Sequence, residues 1–508
     1  MSSHLLSLLQ QAISHHQQGR LQQAEDCYVK VLQIDPRQFD ALHLIGVIAK
    51  QRGDAQSALN FFAKAIAVDA RQAKVHCNLG ATFQEIGESA KALASYDVAL
   101  SLQNDYALVW NNRGNALREL KRYQEALDSF TRAMEIQLNY PEAFLNRGIC
   151  LQELGEHTQA LADIEDAINL RSAYPAAQFA RGFSLQQLGL YEEALNAYTL
   201  ALQSQTAPTV ANLAALHCNR GMVLAKLQRY SEALLDLQQA QTMRPDFGNA
   251  YLQAAHVYRS LQEHEAAILA YQTALALTQN QAQREQIEYC LASFGAAPTP
   301  NAAPAMYVKE LFDQYAAHFD AHLQTLSYQV PHLLQDALQD ALQASGITRI
   351  ESALDLGCGT GFCGDYLATV AQHLTGVDLS ENMLAKARAR NVYQELICED
   401  ILHFLAQASA HYDLIVAADV LVYFGQLEEL FAGVKDKLAS GGHFAFSVEA
   451  SATDDFHLQA SQRYAHSASY IRQLAEKHRL QLRHSSQHSG RREAQQEVQS
   501  LIVVLQKH

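Results

Sequence analysis

Small and apolar residues return every 34 positions through the first half of the chain. Ala24, Ala58, Ala92, Ala126, Ala160 and Ala194 share one register, and Gly46, Gly80, Gly114, Gly148 and Gly182 share another. Four residues beyond each alanine stands a larger side chain: Tyr28, Phe62, Tyr96, Phe130, Ile164 and Tyr198. Three further on come Val31, Ala65, Ala99, Ala133, Ala167 and Ala201. Steps of four and three place these residues on one face of a helix, with polar residues on the other. After a five-residue slip at Thr209–Leu213 the pattern resumes with Gly221, Ala233, Leu237 and Ala240, then Ala255, Ala267, Tyr271 and Ala274. The spacing predicts eight helical hairpins, roughly 5–38 through 248–281, and an amphipathic capping helix at Ala282–Phe294. Independent bundle helices do not repeat in register, so a solenoid is expected.

The period and its small-residue positions resemble the tetratricopeptide repeat, a helix–turn–helix unit of about 34 residues. The proline usual near the end of such a repeat survives only as Pro36 and Pro245. Periodic alanines and tyrosines are packing residues. Arg113, Arg147, Arg181 and Arg220 precede the repeat glycines, with Asn78, Asn111, Asn112, Asn146 and Asn219 nearby. In the resembling superhelices this helix lines the concave face. The ladder therefore suits a grip on a protein or peptide partner, and inter-repeat hydrogen bonding is the equal alternative.

At 295–305 the pattern stops in a Pro/Ala-rich stretch, an extended and semi-rigid linker between a solenoid at 1–294 and a second domain at 306–508. The second domain alternates strand and helix patterns. Met306–Leu326 and Tyr328–Leu342 read as helices. Strands are expected at Ser352–Leu356, Leu374–Leu379, Glu395–Cys398, Asp413–Ala418 and His443–Val448, with helices between them. A helix at Ser467–His478 and two closing strands, Leu480–His484 and Val498–Leu505, complete it. Such alternation gives a mostly parallel sheet covered on both faces, and the last two strands make one edge antiparallel.

The chemistry concentrates at Asp355-Leu356-Gly357-Cys358-Gly359-Thr360-Gly361, where a buried strand turns into a helix. Glycine bares the backbone there for a ligand, beside a helix N-terminus with free N–H groups. Glycines alone do not separate S-adenosylmethionine (AdoMet) from a dinucleotide, since Gly359-Thr-Gly-Phe-Cys-Gly364 also reads G-x-G-x-x-G. Three features favour AdoMet. Counted from the strand's end, a dinucleotide pattern wants glycine where Phe362 stands; Asp355 is placed to anchor an ammonium group; and strand three ends in Glu399 and Asp400, suited to an adenine amino group. Asp378, ending strand two, suits a pair of ribose hydroxyls.

This run resembles the first motif of class I AdoMet-dependent methyltransferases. The closing hairpin matches their seven-stranded, Rossmann-like sheet. The resemblance implies AdoMet as cofactor and a binding set of Asp355, Gly357, Cys358, Gly359, Gly361, Asp378, Leu379, Met383, Asp400, Ile401 and Asp419, with Met383 against the adenine face. Residues Tyr307–Asp320 resemble the lid helix of small-molecule and acyl-carrier methyltransferases, and Gln462–Ser467 resembles a segment of bacterial repeat-fused methyltransferases. The whole chain resembles that fusion family.

Asp419 closes strand four at the sheet edge where substrates bind, as the candidate to position or deprotonate an acceptor; capping the next turn is the equal alternative. Tyr423 and His466 join it as candidate catalytic residues, with a pocket wall and a surface helix start as their plainer roles. The expected activity is methyl transfer to an O or N acceptor. The alternative is a repeat scaffold whose AdoMet-binding domain is catalytically silent.

A net charge of −15 argues against a nucleic-acid partner. Eight cysteines, scattered apart from Cys358 and Cys363, read as reduced thiols. His484 and His488 lack a partner set for a metal. The N-terminus has no basic leader and no apolar run spans a bilayer, so a cytoplasmic protein without membrane contact is expected.

Overall fold

A computed structural model of the chain describes residues 3–203, 210–316, 318–452, 455–493 and 496–508. Residue 209, which begins the slip in the repeat pattern, and residue 317 of the lid segment lie outside these. The chain divides into two compact units, Met1–Pro245 and Asp246–His508.

Among the described residues the first unit forms seven helical hairpins. Helix Ala55–Val68 shows how the repeat register becomes structure. Asp54 caps it by accepting from the Ser57 N–H at 3.0 Å, and Ala58, Phe62 and Ala65 are buried. The repeat glycines are spacers for the large side chains sixteen positions on. A Cβ on Gly80 would lie 2.6 Å from Cε1 of the buried Tyr96, and one on Gly114 would lie 2.5 Å from Cε1 of Phe130. Helices within a hairpin can approach only where that Cβ is missing.

The arginine ladder is taken up inside the unit. Arg147 forms a fork with Asp163 at 2.7 and 2.6 Å, and Arg220 does the same with Asp236 at 2.6 and 2.7 Å. Arg113 bonds Asp97 at 2.8 Å, and Arg181 lies 3.5 Å from Glu165. Asn146 donates to Asn111 across adjacent repeats at 2.9 Å. Arg113, Arg181 and Asn146 thus bond between repeats, while the Arg147 and Arg220 forks lie within one hairpin.

The second unit begins with the eighth hairpin, Gly248–Ser260 and His264–Leu277, and the capping helix Gln281–Ser293. Residues 301–303 are not a free tether. Asn301 O accepts from the N–H groups of Gly425 (2.7 Å) and Gln426 (2.9 Å), and Ala303 N–H donates to Tyr423 O at 2.8 Å. Backbone pairing binds this stretch to residues 423–426, and the boundary between the compact units lies at Pro245, before the eighth hairpin.

Among the described residues the sheet has nine strands: β1 Ile350–Leu356, β2 Ala371–Asp378, β3 Glu395–Cys398, β4 Tyr412–Ala417, β5 Leu438–Ser451, β6 Phe456–Leu458, β7 Tyr464–Ser467, β8 Leu480–Glu493 and β9 Gln496–Lys507. Seven follow the expected plan, in the order β3-β2-β1-β4-β5-β9-β8. β8 and β9 supply the antiparallel edge. The two additional strands arise because β5 is long enough to fork. Its residues 443–449 pair with β9, while Glu449–Ser451 pair with β7, which in turn pairs with β6. The lid segment is two helices, Ala305–Tyr315 and Phe319–Thr325, where one was expected, and Val330–Ala344 packs its buried leucines on one sheet face.

Candidate active site

β1 has β2 on one side and β4 on the other, so its carboxyl end opens at the point where strand order reverses. Asp355 lies opposite Gly376 in that register and is 1% exposed. The turn after it holds Gly357, Gly359 and Gly361 at φ 67°, 54° and 87°, the left-handed region that glycine enters without strain. A Cβ on Gly359 would meet no atom within 4 Å, so the outer face of the turn is open. Gly357 and Cys358 donate their N–H groups to Val377 O at 2.8 and 3.1 Å, fastening the turn to β2. Asp378 then accepts from Gly359 N–H and Ser380 N–H, each at 2.9 Å.

Burial pushes the Asp355 carboxyl up to about 7, a rise opposed by a 2.8 Å hydrogen bond from the Tyr393 hydroxyl and reinforced by neighbouring Asp378. Burial also raises Asp378, against the N–H groups that favour its charge. Two acids of this kind at adjacent strand ends suit a ligand carrying an ammonium group and paired hydroxyls. Asp400 caps helix Ile401–Gln407, accepting from Leu402 N–H at 2.9 Å through one carboxylate oxygen. Leu379 follows β2 half-buried and Ile401 is buried. Met383 is 0% exposed, in the first turn of the helix that follows β2.

The lid reaches the same place. Asp313 accepts from the Ser380 hydroxyl at 2.6 Å and Asp320 from the Thr360 hydroxyl at 2.7 Å. Beside the turn lies a cavity of about 630 Å³ walled by Leu323, Tyr328, Leu334, Phe362, Cys363 and Val416.

Asp419 follows β4 at φ 55° and donates its N–H to the Ser447 hydroxyl at 2.8 Å. Its carboxylate is 3.0 Å from Arg463 and 3.6 Å from Arg491. Glu449 completes the cluster, bonded by Arg491 at 2.6 Å. The two guanidiniums hold the acid in one orientation at this edge. Tyr423 walls this edge, its ring 5.6 Å from Phe312 and 5.8 Å from the Arg463 guanidinium. His466 is not at the pocket. It is fully buried in β7, its Nε2 is 3.0 Å from Gly425 O, and burial lowers its imidazole to about 4. The plainer reading of a surface helix start fails as well, because the helix begins at Ala468.

The roles of Tyr393, Glu449, Arg463 and Arg491 were missed from sequence. For Tyr393 a signal existed: a Cβ on Gly361, Gly364 or Gly376 would come within 3.0 Å of its ring or hydroxyl, so three glycines make room for it. The arginines carry no local signature, since they reach Asp419 from β7's turn and from β8.

A stacked-hairpin unit joined to an open, mostly parallel sheet with a glycine turn at its switch point defines the class. The methyltransferase-domain family profile matches residues 353–442, and tetratricopeptide-repeat profiles match 9–73, 105–173 and 218–282. The chain carries tetratricopeptide repeats and a methyltransferase domain. Relatives include trans-aconitate 2-methyltransferase of Rhizobium rhizogenes, 30% identical over 24% of this chain and 48% of the relative. Another is the malonyl-[acyl-carrier protein] O-methyltransferase of Enterobacter lignolyticus, 28% identical over 28% of this chain and 53% of the relative. The chain spans about half the length of these curated relatives. Among solved structures, the N-methyltransferase NodS of Bradyrhizobium japonicum is 22% identical over 39% of this chain and 98% of that one, with a TM-score of 0.33. No helix among the described residues is long and apolar enough to cross a membrane.

Proposed function

We propose that this protein is an AdoMet-dependent methyltransferase acting on an O or N acceptor, and that its repeats recruit a protein or peptide partner along their concave face. The observation that carries the cofactor reading is the placement of Asp355 and Asp378 at adjacent strand ends around an open glycine turn. In this reading Asp355 holds the ammonium of the cofactor's amino-acid end, Asp378 the ribose hydroxyls and Asp400 the adenine amino group. Bound AdoMet supplies a methyl group on a sulfonium centre. The chain's own contribution is placement and exclusion of water: the lid acids Asp313 and Asp320 bond the cradle, and Tyr423 walls the edge. A transfer of this kind depends on proximity and a dry site more than on a strong base. Asp419, tied to Arg463, fits the part of an orienting group.

Calorimetry on the full chain tests the cofactor, and radiolabelled AdoMet added to cell extract tests turnover. AdoMet binding together with label in a protein or metabolite, absent from an Asp355→Ala control, is the expected result. Tight NADH binding without response to AdoMet would falsify the cofactor reading. AdoMet binding without label above the control would favour the silent scaffold.

A further inference from the structure

The turn from β6 to β7 is tight, with Gln462 N–H donating to Gln459 O and Gln459 N–H to Arg463 O, each at 2.9 Å. Gln462 sits in this turn at φ 64° and is 2% exposed. A glutamine held in left-handed backbone and buried is a strained arrangement, and it persists only where surroundings enforce it. Three helices do so. The Arg259 guanidinium, from the eighth hairpin, and the Tyr307 hydroxyl, from the lid at 3.0 Å, both donate to Gln462 Oε1. Gln462 Nε2 donates to Cys290 Sγ of the capping helix at 2.9 Å. The Tyr289 hydroxyl, from the same helix, donates to Gln462 O at 2.6 Å. Each polar atom of the buried side chain therefore has a partner, which fixes a single orientation.

Arg463 is the next residue, and its side chain meets a second set of partners. It lies 3.0 Å from Asp419, 3.4 Å from Glu449 and 5.8 Å from the centre of the Tyr423 ring. Asp419 in turn is at positive φ two residues after β4. The stretch after it, 423–426, is paired to Asn301 and Ala303, just beyond the capping helix. Two grips from the repeat-derived end of this unit thus meet at one sheet edge.

We propose that Gln462 is a positioning residue for the acceptor side of the site. Clamped by Arg259, Tyr289, Cys290 and Tyr307, it fixes the backbone from which Arg463 holds Asp419. The eighth hairpin and the capping helix are then parts of the catalytic apparatus and not merely the end of a recruitment module. The consequence for rate rests on the methyltransferase reading; the positioning itself does not.

The test uses full-length Gln462→Ala, Gln462→Glu and Tyr289→Phe, the last keeping the ring and removing one hydrogen bond. Hydrogen exchange is read at Asp419–Gln426 and at the cradle Gly357–Gly361, alongside AdoMet affinity and label transfer. In Gln462→Ala, exchange at Asp419–Gln426 rises about tenfold while the cradle changes by less than about twofold. Label transfer falls about tenfold at an AdoMet affinity that moves by less than about twofold. Gln462→Glu keeps an acceptor for Arg259 and Tyr307 and restores most of both. If Gln462→Ala fails to fold, Tyr289→Phe reports the same local exchange in smaller measure. Exchange that rises evenly through residues 246–508, or stays unchanged at Asp419–Gln426, makes Gln462 a packing plug and overturns the proposal. If wild type transfers no label, the methyltransferase reading fails, and exchange at Asp419–Gln426 still decides the role of Gln462.

Discussion

The Tyr393 hydroxyl donates to Asp355 Oδ2 at 2.8 Å, a side-chain hydrogen bond given to a carboxylate enclosed by apolar strand and glycine turn. It does not offset burial, and the carboxyl stays at about 7. An acid held above its unfolded value, near 4, keeps its proton more tightly when folded. The stability it lends is full below pH ~4 and is lost as pH rises through ~7. The Asp355→Asn variant keeps an acceptor for Tyr393 and has no carboxyl to ionise. Its melting temperature relative to wild type should therefore climb between about pH 4.5 and pH 8, with AdoMet binding lost. A difference that is flat across that range would mean Asp355 is already ionised in the free protein.

The cofactor reading adds a proton. An ammonium group beside Asp355 favours the carboxylate, so AdoMet binding between about pH 6 and 7 should release protons. Calorimetry in two buffers of different ionisation enthalpy measures this directly. In the same titration Asp378→Ala, which deprives the Gly359 and Ser380 N–H groups of their acceptor, should weaken binding by about 1–3 kcal/mol. Unchanged affinity would remove Asp378 from the site.

Periodicity made the repeats legible down to individual helices, because a 34-residue register constrains every hairpin by its neighbours. The strand ends carrying Asp355, Asp378 and Asp400 were legible for a different reason: each lies within its own motif, a few residues from a glycine or a helix cap. What escaped were relations between distant segments. Arg463 meets Asp419 across 44 positions and Arg491 meets Glu449 across 42, and no local pattern records either. The β6–β7 pair has no counterpart among the strands expected from sequence, because it is short and leans on the far end of β5. Residues 301–303 look like a tether by composition, and only backbone bonds to 423–426 reveal otherwise.

Gly80 illustrates how the register acts energetically. Its missing Cβ would lie 2.6 and 2.8 Å from two carbons of Tyr96, whose ring is fully buried. Gly80→Ala gains helix propensity and loses more to overpacking, for a net loss of about 1–3 kcal/mol. Urea unfolding of the full chain should show a lower midpoint for the transition that contains the repeats. An unchanged midpoint would mean that the hairpin can spread without cost, and that the repeat glycines are not spacers.

Arg147 separates a structural role from a binding one. Its guanidinium forks onto Asp163 at 2.7 and 2.6 Å and donates to the Thr131 hydroxyl at 3.0 Å, while the Asp163 side chain is only 8% exposed. Removing one member of a fully buried pair costs about 3–5 kcal/mol, because the other charge is left without a partner. The Arg147 side chain is 26% exposed, so solvent screens part of that and about 1–3 kcal/mol is expected for Arg147→Ala. Removing Asp163 as well takes away the stranded charge, and Arg147→Ala with Asp163→Ala should recover much of the loss. A double variant no more stable than Arg147→Ala would count against the fork as the cause. The cycle also governs how partner capture is read. If Asp163→Ala, which leaves Arg147 present but unanchored, weakens capture as much as Arg147→Ala does, the arginine acts through the solenoid's geometry. If only Arg147→Ala loses the partner while both single variants remain folded, the guanidinium itself touches it.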